Sequence, residues 1–538
     1  MAMQSTENSM SHTSDQSSQS HQKEKDILLC TLNARYLHAS LGIRYLYANM
    51  SDLQKRTQFL EFTIHQRAED IAEQLLLPHI RIIGFGVYIW NVTETMNLLR
   101  LIRVLRPDIH LVIGGPEVSH DLANQHICSL ADTVITGAAD KSFAMHCQQV
   151  LSGEPWQSVV SSLPQNLDGL KSPYPYYNAE DLANRIIYVE ASRGCPFKCE
   201  FCLSSLDKTA VAFNTSSFLE HMHALIKRGA RHFKFVDRTF NLKIDTSRQI
   251  LEFFLTHIDR GLFLHFELIP DRLPDVLKEL LPRFPKGSLQ FEIGIQSFNP
   301  EVQRLISRRQ NHQKTCDNLR WLRTQTSAHI HADLIFGLPG ETLQSFADGF
   351  DELMALGPQE IQVGLLKRLR GTPIDRHTSE FNMRYMATPP YQILANRDID
   401  FNTMQRMVRF ARYWDLVGNS GRFPQTLPLL LGQSPFQQFM SFSDWLFETT
   451  EQTHKFALSR LFSKLDEYLR STGHHAENER QNAIDADYRH NNLRRQSSIK
   501  AKNTCESRKS TSIELSADAT TKQMNKRQRR HTHTIASD

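Results

Sequence analysis

The sequence predicts an α/β protein: a Rossmann-like doubly wound sheet, a partial (β/α)6 barrel, a mainly helical C-terminal region and a disordered tail. Three observations predict it. Short apolar runs alternate with helical periodicity in two separate series, the pattern of strands joined by crossover helices. Several of these runs end in glycine, as parallel strands do where a ligand meets their carboxyl ends. Both ends of the chain lose their apolar content, as segments without a core do.

The first series spans 26–155. Residues 27–32, I-L-L-C-T-L, read as a buried strand, and Leu41, Tyr45 and Leu46 mark one face of a helix. Residues 81–87 (R-I-I-G-F-G-V), 110–115 (H-L-V-I-G-G) and 133–137 (T-V-I-T-G) read as three more strands. Helices follow at 94–106, carrying Met96, Leu99, Ile102 and Leu105, and at 141–151. No G-x-G-x-x-G opens the first helix, so a nicotinamide dinucleotide is not favoured.

Residues 156–185, with Pro164, Pro173 and Pro175, read as a linker. The second series spans 186–370, with strands expected at 186–190, 232–236, 264–268, 289–295, 330–335 and 359–365. Helical patterns lie between them, as at 215–228 and 247–259. Residues 371–469 are mainly helical. The ends, 1–25 and 470–538, read as disordered.

Of the 538 residues, 40% are hydrophobic and 22% charged, the balance of an ordinary globular protein. The formal charge of +4 comes from the tail, since Ser471 onward carries 13 Lys+Arg against 8 Asp+Glu. A basic tail ending in K-R-Q-R-R-H-T-H reads as a solvated extension, so nucleic acid is not an expected partner. No apolar stretch reaches the roughly 20 residues of a membrane span, and no secretory signal is seen. The cytoplasm is the expected compartment and membrane binding is not expected.

The chemistry centres on R-G-C-P-F-K-C-E-F-C, which begins at Arg193. Cys195, Cys199 and Cys202 form a C-x-x-x-C-x-x-C triplet directly after the first strand of the second series. Three thiolates this close can hold three irons of a [4Fe–4S] cluster and leave the fourth open. Zinc usually needs four ligands, and no fourth Cys or His stands nearby at suitable spacing. A disulfide framework does not suit eight sparse cysteines in a long chain. Cys30, Cys128, Cys147 and Cys316 read as isolated apolar thiols.

Strand ends later in the series are the next candidates, because a parallel barrel carries its chemistry there. E-I-G-I-Q-S offers Gly294, Gln296 and Ser297; D-L-I-F-G-L-P-G-E-T offers Gly337, Pro339 and Gly340. F-V-D-R-T-F-N is expected to point Asp237 and Arg238 into the barrel mouth, with Glu267 and Asp271 as further candidates.

These motifs resemble the radical S-adenosylmethionine (SAM) enzymes, in the subgroup with an N-terminal cobalamin-binding domain and a C-terminal extension of uncharacterised function. The resemblance covers residues 26–423. It implies that Cys195, Cys199 and Cys202 ligate the cluster and that SAM chelates the open iron. The backbone near Phe201 would meet the adenine. Gly294, Gln296, Ser297, Gly337, Pro339 and Gly340 would contact the cofactor, and Asp237 would stand in for the G-G-E-type motif that this chain lacks. Gly114, Gly115, Glu117 and Gly137 would bind cobalamin. The D-x-H-x-x-G motif is missing, which argues against a histidine on cobalt, and G-A-A-D (137–140) replaces the G-E-G-E of relatives. The implied reaction is reductive cleavage of SAM to methionine and a 5′-deoxyadenosyl radical, driven by a flavodoxin- or ferredoxin-type electron donor. Methyl transfer to an unactivated carbon is the leading expectation. A radical rearrangement without methylation, tRNA methylthiolation and a non-enzymatic cobalamin or iron–sulfur sensor are the alternatives. Methylthiolation is disfavoured because no second cysteine triplet precedes the barrel.

Overall fold

The computed structural model describes residues 25–162, 166–493 and 526–533. The expected disorder of residues 1–24, 494–525 and 534–538, and Pro164 of the expected linker, lie outside them.

The N-terminal unit is a six-stranded, all-parallel sheet in the order β2-β1-β3-β4-β5-β6. Its strands are β1 (Ile27–Asn33), β2 (Thr57–Thr63), β3 (Ile82–Gly86), β4 (His110–Gly114), β5 (Thr133–Gly137) and β6 (Val159–Ser162). β1 is buried along its whole length and takes an interior place, as a continuous apolar run requires in a sheet covered on both faces. β2 and β6 are absent from the sequence reading. Both are edge strands with exposed residues and mixed polarity, so neither shows the apolar run of a central strand. Helices α1 (Leu41–Ala48), α2 (Ala68–Leu75), α3 (Val92–Leu105) and α4 (Ser142–Ser152) form the crossovers. They bury two cores, one on each face of the sheet.

Residues 166–186 are less irregular than expected. α5 (Ala179–Asn184) starts with a capping box between Asn178 and Asp181. Asp181 also pairs with buried Arg44 at 2.6 Å, which ties the segment to α1.

The second sheet has the order β14-β13-β12-β11-β10-β7, again all parallel. It comprises β7 (Ile187–Val189), β10 (His232–Phe235), β11 (Phe263–Leu268), β12 (Leu289–Gln296), β13 (His329–Phe336) and β14 (Glu360–Leu365). A small ribbon, β8 (Ser192–Arg193) with β9 (Val211–Ala212), brackets the cysteine loop. Each barrel strand matches an expected one, and β14 does not pair with β7, so the barrel is open. On β12 the apolar Leu289, Phe291, Ile293 and Ile295 are buried, and the alternate positions 290, 292, 294 and 296 are Gln, Glu, Gly and Gln. This period of two sets a polar lumen against an apolar outer face. The outer face is covered by α6 (Thr215–Lys227), α7 (Ile244–Leu255), α8 (Asp275–Leu280), α9 (Pro300–Leu305), α10 (His312–Gln325) and α11 (Leu343–Leu356).

The C-terminal region adds the ribbon β15 (Arg384–Tyr385) and β16 (Ile393–Ala395), then α12 (Phe401–Leu416), α13 (Thr426–Leu431), α14 (Pro435–Thr450) and α15 (Leu458–Thr472). It shares one continuous core with the barrel. Tyr413 and Trp414 sit inside that core, with Trp414 against Phe350 and Phe439, rather than over the barrel mouth. Helical structure also continues past residue 469, where disorder was expected. α16 (Glu477–His490) buries Asp487, which accepts hydrogen bonds from the backbone of Gln425 and Thr426. α17 (Lys526–His533) lies at the opposite end of the barrel from the cysteine loop. Its Gln528 meets Gln290 at the start of β12, and Arg527 reaches Glu360 at the start of β14. These helices are polar, and their docking depends on partners distant in sequence. Among the described residues no helix is long and apolar enough to cross a membrane.

Candidate active site

Each sheet opens a cavity at the carboxyl ends of its strands. The first, about 230 Å³, is framed by the ends of β1, β3, β4 and β5. The second, about 240 Å³, is framed by the cysteine loop and the ends of β11, β12 and β13. Both are far larger than one ordered water fills.

In the second cavity Cys195, Cys199, Cys202 and Phe201 form one wall. The loop is held from three sides. Gly194 has φ +86°, and a Cβ there would come within 2.2 Å of Thr209 O, so only glycine fits this close crossing. Ser205 Oγ donates to the carbonyls of Cys199 and Cys202 at 2.9 and 2.7 Å. Glu200, between the last two cysteines, is buried and accepts from Ser307 Oγ at 2.6 Å. Arg376 also donates to it, and His377 Nε2 lies 2.9 Å away. The sequence reading passed over Glu200, whose only signal is an acid inside a loop that must be buried.

Arg308 Nη1 donates to Cys199 Sγ at 3.4 Å.

The opposite wall is polar. Glu267, Asp271, Gly294, Gln296, Arg308 and Asp333 line it, and Arg238 stands beside Glu267 at 2.6 Å. Gln296 Oε1 and Arg308 Nε are buried without a hydrogen-bond partner, and Asp333 Oδ1 has only the His331 ring at 3.4 Å. Orphaned buried groups of this kind await a polar ligand. Burial raises the Glu267 carboxyl, against the pull of Arg238, and burial with Glu292 nearby raises Asp333 well above the usual range. Glu292 behaves oppositely. Burial pulls it up, but His265 at 3.0 Å and Lys234 at 3.2 Å hold it well below the usual range. Arg308 was missed in the sequence because it follows α9, which returns it to the cavity from outside the strand-end motif.

Several expected positions fall elsewhere. Asp237 turns away from the mouth: its carboxylate accepts from Ala191 N at 3.0 Å and Ser192 Oγ at 2.6 Å, bracing the start of the cysteine loop. Burial pushes it up to about 7. Ser297 Oγ is taken by Glu341 at 2.7 Å and lies outside the cavity wall. The Gly337-Leu338-Pro339-Gly340 turn also lies outside it, packed against Ile393, Met404 and Phe381 of the C-terminal region.

In the first cavity Gly84, Gly86, Gly114, Gly115 and Gly137 leave a floor without side chains. Gly115 has φ +118°, and a Cβ there would lie 2.5 Å from Val87 O. Glu117 does not line this cavity. It is buried against Tyr391 Oη at 2.5 Å and Arg370 at 3.2 Å, where it joins the N-terminal unit to the C-terminal region. His38 is also outside, 2.7 Å from Tyr188 Oη. Arg193 joins the two cavities. It lines the first, stands two residues before Cys195, and grips Asp140 with both Nη atoms at 2.9 and 3.2 Å. Asp140 is the last residue of the G-A-A-D that stands in place of G-E-G-E.

Three family models match successive parts of the chain: a B12 binding domain over residues 27–145, the radical SAM superfamily over 189–353, and a protein of unknown function (DUF4080) over 379–536. The chain thus carries a B12-binding domain and a radical SAM domain, followed by a DUF4080 region. It is 22% identical to the cobalamin-dependent radical SAM methyltransferase TokK of Streptomyces tokunonensis, over 54% of this chain and 47% of that protein. It is 33% identical to the oxygen-independent coproporphyrinogen III oxidase of Pseudomonas aeruginosa, over 18% of this chain and 24% of that protein. The chain thus spans about half or less of the length of these two curated relatives. Among solved structures, its fold is similar to that of the radical SAM methyltransferase TsrM of Kitasatospora setae (TM-score 0.56, 16% identity, 68% of this chain and 78% of that one). It is also similar to the cobalamin-dependent SAM radical enzyme OxsB (TM-score 0.57, 11% identity, 87% and 84%).

Proposed function

We propose that this protein is a cobalamin-dependent radical SAM enzyme that methylates an unactivated carbon. The observation that carries the reading is the pair of cavities, one glycine-floored and one thiol-walled, joined by Arg193. When bound, the cluster and SAM supply reductive carbon–sulfur cleavage and a 5′-deoxyadenosyl radical, and cobalamin supplies a methyl carrier.

The residues divide that work. Cys195, Cys199 and Cys202 hold the cluster, and Glu200 fixes their loop. A methionyl group carries an ammonium and a carboxylate, and Glu267 and Arg308 on the polar wall match those two charges. Gln296 and Asp333 offer buried polar atoms for ribose hydroxyls, Gly294 admits close approach, and Phe201 gives an apolar face to a base. Gly114, Gly115 and Gly137 let a flat macrocycle lie on the backbone. Asp237 positions the cysteine loop from behind. The electron comes from an outside reductant of the flavodoxin or ferredoxin type. Thiolate-held iron supports a reducing compartment, the cytoplasm, as the place of the reaction.

A radical reaction without methyl transfer is a second reading, supported by the fold likeness to OxsB, a cobalamin-dependent SAM radical enzyme. Products separate the two. Turnover with SAM and reductant should yield both 5′-deoxyadenosine and S-adenosylhomocysteine. Deoxyadenosine alone supports the second reading, and S-adenosylhomocysteine alone contradicts both.

A further inference from the structure

Away from both cavities, one cluster of side chains has the geometry of a metal site. α10 begins at His312 and carries Cys316 four residues on, so both lie on one face. α11 brings Glu352 against them, and the three ligand atoms all lie within 4.8 Å of one another. His312 Nε2 is 2.9 Å from Glu352 Oε1. Cys316 Sγ is 3.5 Å from Glu352 Oε1 and 3.8 Å from His312 Nε2. A tetrahedral zinc, about 2.0 Å from nitrogen and oxygen and about 2.3 Å from sulfur, sets the first of these edges at about 3.3 Å and the two to sulfur at about 3.5 Å. The triangle therefore closes around one ion with shifts of only about 0.4 Å or less.

We propose that His312, Cys316 and Glu352 bind a divalent cation of the zinc class, with a fourth position open to solvent. Thiolate and imidazole select such an ion over magnesium or calcium. Thiolate and carboxylate together neutralise its two charges. Cys316 is buried, and His312 and Glu352 are 49% and 39% exposed, so the ion has an entry path. Burial, reinforced by Glu352, pushes the Cys316 thiol up to about 11. Binding near neutral pH therefore releases that proton. Without metal the same groups satisfy one another as a hydrogen-bonded triad, and that is the competing account.

The site has a structural consequence. α10 starts directly after Arg308, Arg309 and Gln310, which line the thiol-walled cavity. The His312 ring also meets Phe298 edge-on at 5.2 Å, two residues beyond Gln296. An ion clamping α10 to α11 braces both segments of that wall. The inference stands independently of what the cavity binds.

Cobalt titration of the full-length Cys195→Ser/Cys199→Ser/Cys202→Ser protein isolates the site from the cluster thiols. The expected result is one cobalt per chain with a thiolate-to-cobalt charge-transfer absorption, displaced by zinc with release of cobalt. Adding Cys316→Ser should abolish the absorption. Adding His312→Ala instead, at a half-exposed position that leaves the core intact, should weaken binding about tenfold or more. No stoichiometric cobalt in the triple variant, an absorption that survives Cys316→Ser, or equal affinity after His312→Ala would each overturn the proposal and leave the triad as a hydrogen-bonded one.

Discussion

Glu200 shows how much of the site depends on a single buried charge. It holds Ser307, Arg376 and His377 at once, so it joins the cysteine loop to α9 and to the C-terminal region. Arg376 is largely exposed, so the loss is that of a buried, charge-assisted hydrogen-bond set, about 1–3 kcal/mol. Glu200→Gln should therefore lower the iron retained per chain after reconstitution, while cobalt uptake stays near wild type. Asp237 makes a prediction in pH. Its carboxyl titrates near 7 in the folded chain against about 3.9 unfolded. The native state thus binds the extra proton between those values. The stability it contributes is full below about pH 4 and is lost as the pH rises to about 7. Asp237→Asn should flatten the melting temperature of the cluster-free protein across that window; parallel curves for the two proteins would refute the assignment. The cysteine triplet was legible in the sequence because its spacing alone carries the chemistry. The orientation of Asp237 and Ser297 was not, since neighbouring residues at a strand end face opposite ways and the register is set by tertiary pairing.

Elements in the chain interior were legible for a physical reason. A central parallel strand is buried on both faces, so β1, β3, β4 and β5 read as apolar runs. The edges β2 and β6 and the polar helices α16 and α17 do not carry that signal. Glycines at strand ends were read as ligand-facing, and the structure divides them into two kinds. Gly114, Gly115 and Gly137 floor a cavity; Gly337 and Gly340 make a turn under the C-terminal region. Two glycine substitutions, one at that floor and one in the cysteine ribbon, separate the two sites. Gly115→Ala meets Val87 O and a positive φ, at a cost of about 1–3 kcal/mol, and should reduce bound cobalt more than iron. Gly194→Ala meets Thr209 O in the cysteine ribbon and should reduce iron more than cobalt. Metal analysis of both variants checks the pair.

At the scale of the molecule, two parallel sheets direct their strand C-termini to two cavities, and two charged contacts tie the N-terminal unit to the rest of the chain. Arg193 ties the cysteine loop to Asp140 of the N-terminal unit. Glu117 ties the G-G-P-E-V-S loop to Arg370 and Tyr391. Both pairs link residues far apart in sequence, which explains why the sequence read Glu117 as a cofactor contact. The most direct test measures iron, cobalt and 5′-deoxyadenosine on one anaerobic sample reconstituted with iron, sulfide and hydroxocobalamin, then given SAM and reductant. The account predicts about four iron atoms per chain, bound cobalt, and deoxyadenosine that disappears in Cys199→Ser. Iron-loaded protein that makes no more deoxyadenosine than Cys199→Ser would contradict it.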